Sequence, residues 1–183
     1  MSKSELTDTS YAVLGLLELC EPATPYQLKQ AAQVSIFHFW TIPHTQLYTE
    51  CARLADAGLL DEEREQTGRR RRIYRLSKEG RRALEGWRSD PDAELYELRD
   101  PGLLKLFCGA DPAALAEAML AKHRQRLAQY EQIRDQMELP ESIEAADQTG
   151  LPLAVQLTLE SGIGHEREYI RFWSRLSEKR KSA

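Results

Sequence analysis

Long apolar runs are missing from this sequence: the longest nearly apolar stretch, residues 11–19, falls far short of the roughly 20 residues a helix needs to cross a bilayer. The N-terminus has no signal-peptide pattern, so the chain is expected to be cytoplasmic and free of membrane. Cysteine is scarce. Cys20, Cys51 and Cys108 are odd in number, widely spaced and flanked by apolar residues, which argues against a disulfide framework and predicts reduced, buried thiols. No CxxC or HExxH occurs, and the four histidines (His38, His44, His123, His165) lack metal-ligand spacing. No serine or cysteine stands in a recognisable nucleophile motif either. Catalysis therefore has no support, and no cofactor or metal is predicted.

With 42% hydrophobic and 30% charged residues, the 183-residue chain can bury a core without disulfide or metal support. Its net charge of −4 would argue weakly against a polyanionic partner if it were spread evenly. It is not. Between positions 69 and 82 stand eight basic residues (Arg69, Arg70, Arg71, Arg72, Arg75, Lys78, Arg81, Arg82) against the single acid Glu79. An acidic body with one concentrated basic edge repels polyanions elsewhere while aiming that edge at phosphate.

The order of predicted elements gives that edge a context. A first helix covers residues 9–20, with Val13, Leu14, Leu16, Leu17 and Leu19 forming an apolar stripe wide enough to imply a second contact surface. Glu21-Pro22-Ala23 breaks the chain, and Thr24-Pro25-Tyr26-Gln27 restarts it with a hydroxyl cap, a proline at the first helical position and a capping-box glutamine. After the aromatic cluster Phe37-His38-Phe39-Trp40, Thr41 is the expected cap of a third helix, whose Leu47, Cys51 and Leu54 face the core. Gly58 suits its left-handed end. The period then changes to that of a strand pair: residues 61–66 are extended, Thr67-Gly68 marks a turn, and Arg72–Leu76 alternates polar and apolar residues. Ser77 caps a further helix with Ala83, Leu84 and Trp87 on its apolar face. Three helices, a basic-tipped hairpin and a returning helix make a winged helix-turn-helix, closed by residues 89–92.

Beyond it, Asp111-Pro112 caps a long helix that Pro140 stops, with Leu120 and Leu127, His123 and Tyr130, and Tyr130 and Met137 each seven apart. A second long helix runs from about residue 151 to 179, with Leu159, Ile163, Ile170 and Trp173 on one side, after a polar loop at 139–150. The predicted class is mainly α with a small β-hairpin: a winged helix-turn-helix DNA-binding domain over residues 1–92, then a C-terminal antiparallel helical dimerisation domain over 93–183. Two such helices bury little surface alone, so a homodimer is expected.

If Leu47, Cys51 and Leu54 face inward, a step of about 100° per residue turns Thr45, Thr49 and Ala52 outward and puts Gln46, Tyr48 and Arg53 on the flanks. Thr45, Gln46, Tyr48 and Thr49 are then hydrogen-bonding residues at the leading end of a helix that enters the major groove. Thr41 and His44 precede them, His44 nearer the core side. Arg69, Arg70 and Arg71 at the hairpin tip suit phosphate or a narrow minor groove, and Lys29 on the second helix is a further phosphate candidate. Phe39, Trp40, Trp87, Tyr169 and Trp173 could line a pocket for a small aromatic effector, although such residues are more often core. The expected partners are a double-stranded DNA operator and a second copy of the chain. The alternatives are an adaptor whose basic wing binds an acidic protein, or a small-molecule-binding protein with no regulatory DNA site.

Four segments resemble the PadR family of bacterial transcriptional regulators: Tyr11-Ala12-Val13-Leu14-Gly15-Leu16-Leu17; Tyr26-Gln27-Leu28; Phe39-Trp40 through Gln46-Leu47-Tyr48, Arg53-Leu54 and Ala57-Gly58-Leu59-Leu60; and Arg71-Arg72-Ile73-Tyr74-Arg75-Leu76-Ser77 with Gly80 and Trp87. The long C-terminal helices fit the family's longer branch by layout. The resemblance implies a dimeric repressor on a roughly palindromic operator, released by an effector. Thr49 stands where relatives often carry proline, and the Gly68-Arg69-Arg70-Arg71-Arg72 tip is richer in arginine than many, implying a larger phosphate contribution.

Overall fold

A computed structural model of the chain describes residues 6–65, 71–137 and 151–178. The polar loop expected at 139–150 lies outside them. The chain divides into two compact units, Met1–Ala93 and Glu94–Ala183.

In the first unit, α1 (Asp8–Cys20), α2 (Pro25–Val34) and α3 (His44–Asp56) precede the hairpin β1 (Leu60–Arg64) and β2 (Arg72–Leu76), and α4 (Lys78–Arg88) closes the unit. Local chemistry sets most boundaries. Thr7 and Ser10 form a reciprocal capping box at α1, Thr24 and Gln27 form one at α2, and Ser77 accepts the Gly80 N–H at α4. The third helix departs from expectation. Its cap position is Pro43, with no side-chain cap, and Thr41 lies exposed two residues earlier. Gly58, at φ 74°, ends the helix in the left-handed conformation glycine adopts freely.

The broad apolar stripe of α1 is explained within the unit. α1 packs on α2, α3, α4 and β2 at once, and Val13, Leu14, Leu16 and Leu17 are fully buried among Leu28, Leu47, Leu54, Tyr74 and Leu84. No second chain is needed to cover them, and Leu19 stays partly exposed. β1 and β2 pair antiparallel from Leu60↔Leu76 to Arg64↔Arg72. Ala23 adds a third edge by exchanging two backbone hydrogen bonds with Tyr74, at 3.1 and 2.9 Å. One Glu21 carboxylate oxygen accepts the Leu76 N–H at 2.6 Å and the other pairs with Arg81, so the base of the hairpin is tied to the α1–α2 connection.

In the second unit, α5 (Pro101–Phe107) leads to α6 (Pro112–Gln136) and α7 (Leu151–Glu178). The two long helices pack antiparallel, as the pairs His123–Glu166, Glu131–Arg167 and Arg134–Glu160 show. Ala116, Leu120 and Trp173 form the apolar core near α5, with Ile163 and Leu159 buried further along. His123 sits in the seam, its Nδ1 2.5 Å from Glu166 Oε2. The short α5 is absent from the sequence reading, although Asp100 caps it by accepting the N–H groups of Gly102 and Leu103, with Pro101 at the first helical position. No helix among the described residues is long and apolar enough to cross a membrane.

Candidate nucleic-acid interface

The outward face of α3 follows from its inward face. With Leu47, Cys51 and Leu54 buried, the first turn exposes His44, Thr45 and Gln46, and the second exposes Tyr48 and Thr49. His44 is not on the core side: it is exposed, with its ring 4.6 Å from that of Tyr48. The helix therefore begins with an aromatic pair on its surface. Thr49 donates its hydroxyl to the carbonyl oxygens of Thr45 and Gln46, at 3.1 and 3.0 Å.

Tyr48 and Thr49 form one wall of a groove of about 930 Å³ that reaches across three elements. Thr24, Pro25, Tyr26, Gln27 and Gln30 come from the start of α2, Tyr48, Thr49 and Ala52 from α3, and Arg71, Arg72 and Tyr74 from β2 and the residue before it, on the tip side of the hairpin. The capping box presents the α2 terminus to this groove, and the Ala23–Tyr74 bridge holds β2 beside it. Hydroxyl, amide and guanidinium groups converge on a channel open to solvent, the donor set that phosphate and base-edge acceptors require.

The basic run is not one uniform edge. Arg72 lies 3.5 Å from Glu62, Arg71 lies 3.5 Å from Glu65, and Arg81 is committed to Glu21. Part of the run thus braces the hairpin, while Arg71 and Arg72 both line the groove with exposed side chains. Arg69 and Arg70 lie outside the described residues. Lys29 is half-buried on α2 and does not line the groove. The sequence reading overlooked Tyr26, Gln27 and Gln30, and counted Arg72 only within the basic run. Tyr26 and Gln30 are four apart, opposite the buried Leu28 and Ala32, and that spacing alone marks them as one outward stripe.

The aromatic effector candidates fall in separate environments. Phe39 is 56% exposed against His38, whereas Trp40 is half-buried on the core. Trp87, expected on the apolar face of α4, is 48% exposed and stacks on Tyr11 at 4.7 Å. In the second unit, Trp173 is fully buried core, and Tyr169 contacts the rings of His123 and His165. Burial pushes the Tyr169 hydroxyl up to about 12, with Asp100 adding to the shift. None of the five lines the groove on the first unit.

Residues 13–86 match the sequence profile of the transcriptional regulator PadR-like family, and residues 98–179 match that of the virulence activator alpha C-terminal region. Residues 13–86, most of the first unit, thus form a PadR-like transcriptional-regulator domain. No curated protein matches its sequence. Solved structures share its fold across nearly the whole length. Bacillus subtilis PadR in complex with operator DNA is 19% identical, with a TM-score of 0.78 over 94% of this chain and 99% of that one. The PadR-like regulator BC1756 from Bacillus cereus is 17% identical, with a TM-score of 0.77 over 94% and 98%. The Vibrio cholerae virulence activator AphA is 22% identical, with a TM-score of 0.67 over 94% and 98%. The second profile gives the C-terminal half a motif-level match, where the sequence alone offered only layout.

Proposed function

We propose that this chain is a PadR-family repressor that binds a palindromic operator as a homodimer and is released by a small effector. The observation that carries the reading is the groove on the first unit, where the start of α2, the exposed face of α3 and the tip-side half of β2 converge. In this reading His44, Thr45, Gln46, Tyr48 and Thr49 read base edges and Thr41 and Lys29 lie at the margin. Arg69, Arg70 and Arg71 grip phosphate. Two copies related by a two-fold axis match two half-sites about one helical turn apart. Release requires an effector that binds one dimer conformation more tightly than another, because a ligand of equal affinity for both shifts nothing. Bacillus subtilis PadR has been solved with p-coumaric acid, at 22% identity and a TM-score of 0.71, which makes small aromatic acids the first effectors to try.

The test is binding of the purified chain to its own upstream DNA against a scrambled duplex across a salt series, with and without Arg69, Arg70 and Arg71 changed to alanine. Preference for the upstream duplex, with the triple variant weaker on both duplexes and flatter in salt dependence by up to about three phosphate contacts, is the expected result. No binding even at low salt would remove the DNA role of this wing. Capture of an acidic protein that survives competitor DNA would instead favour an adaptor. The C-terminal profile is described by an activator, so activation is the second reading. A reporter fused to the bound DNA separates the two: its output rises in a deletion strain for a repressor and falls for an activator.

A further inference from the structure

One polar cluster joins the outer part of α3 to the start of α1. Arg53 donates from Nε to Glu50 Oε2 at 2.9 Å and from Nη2 to Glu50 Oε1 at 2.6 Å, a two-pronged fork on one carboxylate. The same Nη2 donates to Ser10 Oγ at 2.8 Å. Ser10 is fully buried, and its hydroxyl oxygen also accepts the Thr7 N–H at 2.9 Å within the α1 capping box. Thr7, Ser10, Arg53 and Glu50 thus form one continuous chain of hydrogen bonds between two helices.

This chain matters because of what α3 lacks. Its first turn has no side-chain cap, so no cap side chain holds its leading N–H groups. The buried Leu47, Cys51 and Leu54 hold the helix against the core, but apolar packing is non-directional and weakly resists rotation about the helix axis. A charge-assisted fork is directional. It lies on the flank of α3, between the core stripe and the stripe carrying Tyr48 and Thr49, where it opposes rotation of the helix about its axis. The fork also neutralises Glu50, a carboxylate on the helix that faces a polyanion. Arg53 and Ser10 hold that carboxyl below the ordinary glutamate range.

We propose that Arg53, braced between Ser10 and Glu50, is a positioning residue that sets the rotation of α3 for operator reading without itself binding phosphate. The inference rests on α3 reading DNA. The Arg53 side chain is 34% exposed, so direct phosphate contact is the rival, and the two differ measurably. Ser10 cannot touch DNA, and Ser10→Ala changes no charge.

The probe is the tightest duplex that the wild-type chain enriches from a random-sequence pool, beside a scrambled duplex of the same length. Failure of the wild type to enrich any duplex would defeat the DNA reading itself. Given enrichment, Ser10→Ala and Arg53→Lys are each expected to weaken the enriched duplex roughly tenfold, the scale of a lost hydrogen bond to a charged group, while leaving the scrambled duplex within about twofold. Arg53→Gln is expected to keep the wild-type salt slope. A slope reduced by about one, with both duplexes weakened alike, would make Arg53 a phosphate ligand and overturn the proposal. A lower melting temperature with an unchanged ratio between the two duplexes would also overturn it, leaving a purely structural role. Glu50→Gln, isosteric but with a single acceptor oxygen left for the fork, provides a second variant should Ser10→Ala not fold, and the same loss confined to the enriched duplex is expected of it.

Discussion

At the scale of single residues, the three cysteines show how environment decides chemistry. Cys51 is fully buried between Leu47 and Leu54, and burial pushes its thiol up to about 12, with Glu50 adding to the shift. Cys20 is half-buried, its Sγ donating to the Leu16 carbonyl oxygen, and its thiol is also raised by burial. Cys108, expected to be buried, is exposed at the end of α5. Because the thiolate is the reactive form, a disulfide reagent at pH 8 is expected to modify Cys108 first and Cys51 only when denaturant unfolds the first unit. Mass spectrometry of labelled peptides reads the order, and labelling of Cys51 as fast as Cys108 would contradict the packing of α3. The environment of Cys51 is legible in the sequence, since Leu47, Cys51 and Leu54 recur at helical spacing. That of Cys108 is not. Its neighbour Phe107 reads as core, yet Phe107 is 88% exposed on a helix too short to bury both its faces. His44 was misplaced for a related reason. A rotation argument fixes the centre of a helix well, but its first residue has no preceding turn to pack against.

Between elements, the close approach of β1 and α4 depends on one glycine. A Cβ at Gly80 would stand 2.1 Å from the Leu59 carbonyl oxygen, a backbone atom that cannot swing aside. The same junction carries Ser77, whose hydroxyl donates to the Gly58 carbonyl oxygen at 2.8 Å while accepting the Gly80 N–H at 3.0 Å. Gly80→Ala must therefore push α4 off the hairpin base. It is expected to cost about 3 kcal/mol, a fall of roughly 10 °C or more in the melting temperature of the first unit. A calorimetric scan resolves this, and a loss below roughly 0.5 kcal/mol would show that α4 and β1 are not so closely joined. The caps at Thr24, Ser77 and Asp111 are legible in advance because a cap is a local pattern of hydroxyl or carboxylate, proline and amide. The bridge from Ala23 to Tyr74 is not, since it joins residues 51 positions apart with no pairing signal in either. Thr41 failed as a cap because Pro43 already fixes the extended conformation that precedes a helix.

For the whole molecule, residues 90–100 form neither helix nor strand, and those from 90 to 99 are all exposed. This segment and the helix after it leave large apolar groups in water: Leu95 is 97% exposed and Leu104 62%, in addition to Phe107. Leu98, Leu103, Leu104 and Phe107 line a shallow groove of about 500 Å³ there. A monomer gains nothing from this arrangement, whereas a second copy covering it would bury apolar area worth about 25 cal/mol per Å². The proposed homodimer therefore predicts a solution mass near twice 21.0 kDa by light scattering. Replacing Leu104 and Phe107 together by glutamate costs the monomer little, since both side chains already face solvent, but it places charge in an interface that must exclude water. The double variant is expected to run near 21.0 kDa, with unchanged helical content by circular dichroism. Its operator affinity should fall by two orders of magnitude or more, because the second half-site is no longer bound at the high effective concentration a dimer provides, a gain of roughly 10²–10⁴. A wild-type mass near 21.0 kDa would end the dimer proposal; a double variant that stays dimeric with full affinity would move the interface to another face of the helical unit.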